Sequence, residues 1–196
     1  MSPSPDPERG VPHAERVVEA ALDRPARLGP GRLVLLDGPS GSGKTTLADA
    51  VVATARRRGL DARVVHLEAH YEGWDGLPGV GARLAAALDR LAAGGTARVP
   101  TWDWHAGDWA EVPAELRPPS PGELVVLEGV GAGDRALVAH ATLLVWCEAE
   151  RSVRRARALA RDGEATRPLL ERWWDAEDRH HAAEGTRGRA DLVVST

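Results

Sequence analysis

The sequence predicts an α/β fold in three layers: a mainly parallel five-stranded sheet flanked by helices. Three observations predict it. Short apolar strands alternate with amphipathic stretches of helix length. The first strand runs straight into a glycine-rich turn that opens a helix. The 196 residues are enough for one domain to bury a real core without staples.

Residues 1–11, with Pro3, Pro5 and Pro7, are expected to form a mobile tail. The single domain then spans 12–196. Its first helix, near Pro12–Leu22, puts Val17, Val18, Ala21 and Leu22 on one face, and Pro25 stops it. Arg32–Asp37 is the first strand. A helix from about Lys44 to Arg58 repeats Leu47, Val51 and Ala55 at every fourth position and ends in arginines, which suit a helix C-terminus. Arg63–Glu68 is the second strand. A loop at Glu72–Gly79 leads to a helix over about Val80–Ala93, ended by Gly94-Gly95. Arg98–Trp104 alternates like a strand or hairpin arm, and 110–123 reads as a Pro-rich surface loop. Leu124–Glu128 and Thr142–Cys147 are strands, with a helix near Arg135–His140 between them. Helices over Glu150–Arg161 and Pro168–Glu184 precede the last strand, Asp191–Ser195.

The composition narrows the function. With 25 basic and 29 acidic side chains the net charge is −4, which argues against a general nucleic-acid binder. No stretch reaches the roughly 18 apolar residues of a membrane span, and the first residues lack the apolar segment of a signal peptide. Cys147 is the lone cysteine and sits in an apolar run, as a buried, inert thiol. A cytoplasmic protein is expected. Phe, Ile, Asn and Gln are absent, and Lys44 is the one lysine among the 25 basic residues, the mark of a high-GC genome. Against that bias, Lys44 and the single tyrosine, Tyr71, stand out.

Lys44 closes the segment Gly38-Pro39-Ser40-Gly41-Ser42-Gly43-Lys44-Thr45, which fits G-x-x-x-x-G-K-[ST] at every fixed position. Between a strand and a helix, such glycines let the backbone curl so that consecutive N–H groups point at a phosphate. The helix N-terminus adds positive partial charge. Gly38, Ser40, Gly41, Ser42, Gly43, Lys44, Thr45 and Thr46 are therefore the expected phosphate contacts. A lysine is a point charge on a thin stem, and a forked arginine would not pass where it must. Thr45 can ligate Mg²⁺ through its hydroxyl.

The next segment, Glu68-Ala69-His70-Tyr71 with Gly73-Trp74-Asp75-Gly76-Leu77, resembles the D-x-[FL]-Y element of the uridine kinase-like branch of the P-loop NTPases, in its high-GC bacterial form. The resemblance implies that Tyr71 lies in the acceptor loop. It also implies that Glu68, one methylene longer than the family's Asp, orients or deprotonates the substrate hydroxyl. Taken bare, the alternative for Glu68 is a solvated strand end, and His70 reads as a packed loop histidine. Thr101-Trp102-Asp103-Trp104-His105 is similar to the segment lining the family's nucleoside pocket, so Trp102 could stack on a base and Asp103 could bind a sugar hydroxyl. The alternative is that tryptophans simply fill a core without Phe, which is the preferred reading for Trp104 and Trp109.

Leu124–Glu128 followed by Gly129 resembles the second signature of these proteins, implying that Glu128 helps hold Mg²⁺ beside Thr45. Arg154, Arg157 and Arg161 match three positions of the family's arginine-bearing lid, here about 150–167, and their spacing puts them on one helix face. The bare reading of that face is solvated charge. Arg187 and Arg189 precede the last strand, where the family packs its adenine. Adjacent His180 and His181 point apart on a helix, so zinc is not expected.

The expectation is an ATP- and Mg²⁺-dependent kinase acting on a small-molecule hydroxyl, most plainly a nucleoside, with no nucleic-acid or membrane partner and an oligomeric state the sequence leaves open. Lys44, Glu68, Arg157 and Arg161 would be its catalytic groups. Glu68, Tyr71, Trp102 and Asp103 would bind substrate, and Thr45 and Glu128 the metal. The alternatives are a cytidylate-like nucleoside monophosphate kinase, whose phosphate-gripping arginines the sequence does not place outside the lid, and a non-catalytic ATP-binding switch.

Overall fold

The computed structural model describes residues 11–196. The expected tail lies outside the described residues, apart from Val11, which opens the first helix, α1 (Val11–Leu22). Strand β1 (Arg32–Asp37) leads through the phosphate loop into α2 (Lys44–Arg57), and β2 (Ala62–His66) follows. Helix α3 (Leu77–Ala92) has a proline in its first turn, where no N–H partner is lost. Four short strands come next: β3 (Ala97–Val99), β4 (Trp102–Asp103), β5 (Asp108–Trp109) and β6 (Ala114–Leu116). Then come β7 (Leu124–Glu128), β8 (Leu143–Glu148), α4 (Arg151–Asp162), α5 (Arg167–Glu184), α6 (Thr186–Arg189) and β9 (Leu192–Ser195).

The main sheet has five strands in the order β2-β7-β1-β8-β9, and every pairing is parallel. Its inner strands are covered on both faces, so β7 is buried at each of its residues, as an unbroken apolar run requires. Alternation divides the side chains between two cores. Leu33, Leu35, Val125 and Leu127 face α3 and α5, with Leu84, Leu88, Leu170 and Trp174. Val34, Leu36, Val126 and Val145 face α1 and α2, with Val17, Val18, Leu47 and Val51. Among the described residues no helix is long and apolar enough to cross a membrane.

Four expectations need correction. The second strand stops at His66, and Leu67–His70 forms a 3₁₀ turn. Leu67 is fully buried, so the chain bends inward there and carries Glu68 to the surface. The arm expected over Arg98–Trp104 is two ladders broken at Pro100, which has no N–H to donate. The expected 110–123 loop contains β6, paired with β3, and is anchored by Glu123, which is 1% exposed. Glu123 accepts from the Ser120 N–H and pairs with Arg63 and Arg117. The expected helix at Arg135–His140 shrinks to a turn over Val138–His140, because the Asp134 carboxylate takes the Ala136 N–H locally.

Candidate active site

All five strands point their carboxyl ends the same way, and the phosphate loop lies at that end. Two of its glycines could not be replaced without moving backbone. A Cβ on Gly38 would sit 2.0 Å from the Cys147 carbonyl, and one on Gly41 2.2 Å from the Arg154 carbonyl. Both residues also have positive φ, at 146° and 75°. Ser42 N–H is bonded to Pro39 O at 3.1 Å. The N–H groups of Gly41, Gly43, Lys44, Thr45 and Thr46 have no acceptor among the described residues. The buried Ser42 hydroxyl has none either. This is the donor set a phosphate takes at a helix N-terminus, so the residues fit a nucleotide's phosphates. Lys44 is 8% exposed, and its Nζ donates to Gly38 O (2.7 Å) and Pro39 O (3.1 Å).

Glu128 ends the strand beside β1 and accepts from the Thr45 hydroxyl at 3.3 Å. A hydroxyl and a hard carboxylate in contact at the loop are a donor set that suits Mg²⁺. His66 Nδ1 lies 2.7 Å from the same Glu128 oxygen, a contact that sequence reasoning missed.

Helix α4 lies along the loop. Glu150 caps it, accepting from the N–H groups of Ser152 and Val153. Arg154 donates to Ser40 O at 3.3 Å, and Arg157 to Gly41 O at 3.4 Å. Arg157 also meets the Thr196 hydroxyl, which itself donates to Ser42 O. Arg161 is held by both oxygens of Asp162. That hydrogen bond raises its pKa against the opposing effect of burial, and the charges of Asp162, Glu68 and Glu128 add to the rise. Arg154 and Arg157 thus touch the loop, while Arg161, farther along the same helix, is paired with Asp162.

On the acceptor side the placements diverge. Glu68 is exposed, within electrostatic reach of Arg161. Its backbone carbonyl accepts from Trp104 Nε1 at 3.3 Å. Next to it is a cleft of about 410 Å³ lined by Trp74, Trp102, Trp104, Asp75 and Arg172 among others. Trp102 is in this lining, but Asp103 is not. The Asp103 carboxylate is occupied by the N–H groups of His105 and Ala106, which hold its pKa down and fold a tight turn. Tyr71 belongs to the core rather than the cleft. It is 4% exposed and its hydroxyl donates to Val130 O at 2.8 Å. Burial, reinforced by Asp37, Glu128, Glu177 and Glu68, pushes its pKa well up. Trp104 and Trp109 are not core residues: Trp104 is 37% exposed and Trp109 half-buried. They pack instead against surface neighbours, Trp104 edge-on to Trp74 and Trp109 between Trp102 and the Arg83 guanidinium.

Helix α5 contributes groups that the sequence reading left unused. Trp173, Glu177 and His181 recur at every fourth position and face the loop. His181 Nε2 is 3.3 Å from the buried carboxylate of Asp37. Asp37 also accepts from the N–H groups of Gly38, Gly131 and Gly133. Burial alone would raise the Asp37 pKa; His181 and the N–H groups outweigh it and hold the group below its usual range. Glu177 accepts from Ser40 and from Trp173 Nε1. Trp173 packs on Tyr71 (ring centroids 5.0 Å) and on Trp74 (6.2 Å), so one ring separates the cleft from the loop. A carboxylate ending an apolar strand, and polar groups four apart on a helix, were the signals available for finding these residues.

The arrangement is a glycine-rich loop at a helix N-terminus with an aromatic-lined cleft near it. No family profile matches the chain, and no curated protein matches it. Solved structures do. The chain is similar to a possible uridine kinase from Bacillus stearothermophilus, with TM-score 0.68 and 23% identity over 93% of this chain and 97% of that one. It is similar to a protein assigned as a fructose transport system kinase from Silicibacter sp. TM1040, with TM-score 0.60 and 22% identity over 92% and 98% of the two chains. A D-glycerate 3-kinase from Cryptococcus neoformans matches at TM-score 0.50 and 13% identity, over 83% and 86%. The chain therefore has the fold of the P-loop kinases.

Proposed function

We propose that this protein is a small-molecule kinase that transfers the γ-phosphoryl group of ATP to a hydroxyl, with a nucleoside as acceptor. The observation that carries the reading is the meeting of three groups at one end of the sheet: the phosphate loop, the Thr45–Glu128 pair, and Glu68, whose backbone carbonyl meets Trp104 of the aromatic cleft. A switch that only binds ATP has no use for the last of these. Bound ATP would supply the phosphoryl group, and Mg²⁺ would offset its charge. The chain's own part is positioning and electrostatics. Lys44 and the loop N–H groups hold phosphate oxygens, Thr45 and Glu128 hold the metal, and Arg157 and Arg161 offset charge from the lid. Glu68 orients the acceptor hydroxyl and takes its proton as the new P–O bond forms and the bond to ADP breaks. Trp104 exposes its ring beside the half-buried Trp74 and Trp102, an apolar lining suited to a base.

Arg172 supports a second reading. It lines the cleft and donates to both oxygens of Asp75, at 2.7 and 2.9 Å. A guanidinium there would also grip a phosphate, as a nucleoside monophosphate kinase requires. The experiment is a screen for acceptor-dependent ADP formation with Mg²⁺-ATP. Its arms are nucleosides, nucleoside monophosphates, and the sugars and hydroxy acids named for the structural relatives. Turnover with nucleosides alone supports the first reading, and turnover with monophosphates alone the second. ATP binding with no acceptor-dependent turnover refutes both.

A further inference from the structure

Glu177 is a buried carboxylate that phosphoryl transfer does not call for. It is 1% exposed on the face of α5 turned to the phosphate loop. Its Oε1 accepts from the Ser40 N–H at 2.9 Å, from the Ser40 hydroxyl, and from Trp173 Nε1 at 2.6 Å. Trp173 donates to the Ser40 hydroxyl as well, at 2.9 Å, so the carboxylate is clamped in place. Burial pushes its pKa up, and the nearby charge of Lys44 is the largest effect opposing that rise. A carboxylate oxygen therefore holds a phosphate-loop N–H in the manner of a phosphate oxygen.

We propose that Glu177 sets the loop's preference between nucleoside triphosphate and diphosphate, by fixing a negative charge at the γ-phosphate end of the site. The inference rests on reading the loop as a nucleotide site. A P-loop lysine reaches the β- and γ-phosphates. Here the Lys44 ammonium lies against the carbonyls of Gly38 and Pro39, so the γ end of the loop is its first half, where Ser40 stands. Phosphates nearer the nucleoside sit instead on N–H groups at the α2 N-terminus, beyond Glu177. Like charges repel strongly where water is excluded. Triphosphate binding then requires Glu177 to lose its charge or to withdraw with α5, and diphosphate binding requires neither. Glu177 is a specificity-determining residue in this account. Through Trp173 its withdrawal would also move the ring that packs on Trp74, at the wall of the aromatic cleft.

The test is calorimetric titration, with Mg²⁺, of ADP and of the non-hydrolysable ATP analogue AMP-PNP. The proteins are wild type, Glu177→Gln, Glu177→Ala and Trp173→Phe. Removing the charge should tighten AMP-PNP binding on the order of tenfold and change ADP binding by less than about twofold. Gln and Ala should agree on this ratio, even though Ala also leaves a cavity. Trp173→Phe keeps the carboxylate but loosens its clamp, so its ratio should fall between those of wild type and Glu177→Gln. Equal shifts for both nucleotides, or none, would overturn the proposal while leaving the nucleotide site intact. Failure of the wild type to bind either nucleotide would instead overturn the reading of the loop itself.

Discussion

In the phosphate loop, the groups that meet a ligand come from one stretch, Gly38–Thr46, whose shape is fixed by its own glycines and by the helix it opens. In the aromatic cleft, the lining comes from three separate stretches, at 72–75, 102–107 and 169–172. Its glycines give the loop its turns within one stretch, while β8, α4 and α5 only pack against it. The cleft exists only once α5, the turn after β2 and the β4–β5 hairpin have packed together. The proposed reaction therefore depends on one site that tolerates little change in sequence and another whose shape depends on the packing of distant segments.

Substitutions can break this contrast, beginning with the largest expected effect. Lys44→Ala should lower turnover on the order of a thousandfold, with nucleotide binding weakened as well, because the loop loses its one charged side chain. Glu68→Gln should lower turnover by about a hundredfold and leave nucleotide affinity unchanged, since in the proposed transfer the carboxylate acts on the acceptor alone. Steady-state kinetics beside equilibrium titration separates the two. If Glu68→Gln weakens ATP binding as much as turnover, the sites are not separable as described.

Two tryptophans divide the cleft from its support. Trp173→Ala should cost about 3–5 kcal/mol of stability, as removal of a buried ring does. Trp104→Ala should cost under about 1 kcal/mol and raise the acceptor's KM by up to tenfold. Denaturant melts and acceptor kinetics read the pair. Similar stability losses in both would show that Trp104 is core after all.

The smallest effect is in acid. Burial would raise the Glu123 pKa, but Arg117, the Ser120 N–H and Arg63 together hold it below its usual range. Asp37 is held low in the same sense. A carboxylate with a depressed folded-state pKa contributes stability that is complete above its unfolded value and is lost as pH falls through the folded one. Urea midpoints should therefore fall below about pH 4, and Glu123→Gln should flatten that limb.

The contrast also explains what the sequence made legible. The strands of the sheet and the phosphate loop follow from local pattern, and so does the Thr45–Glu128 pair once β7 is placed beside β1. The sequence pattern puts Glu68 at a strand end; the 3₁₀ turn that carries it is not legible there, because the burial of Leu67 that bends the chain is a tertiary demand. Tyr71 was assigned to substrate on motif position. Its hydroxyl is taken by Val130 O, and no local pattern reveals such a partner. Asp37 and Glu177 look ordinary alone, and His181 reads only as half of an adjacent pair that points apart. Their meaning lies in α5 crossing over the loop, which only the folded chain shows.

The central claim is that the loop and the cleft serve one transfer. It is tested most directly by identifying the products formed from Mg²⁺-ATP and the best acceptor, using ³¹P NMR and mass spectrometry. The account predicts ADP and a phosphomonoester of the acceptor in equal amounts, with both lost in Glu68→Gln. ADP with inorganic phosphate, and an unmodified acceptor, would contradict it.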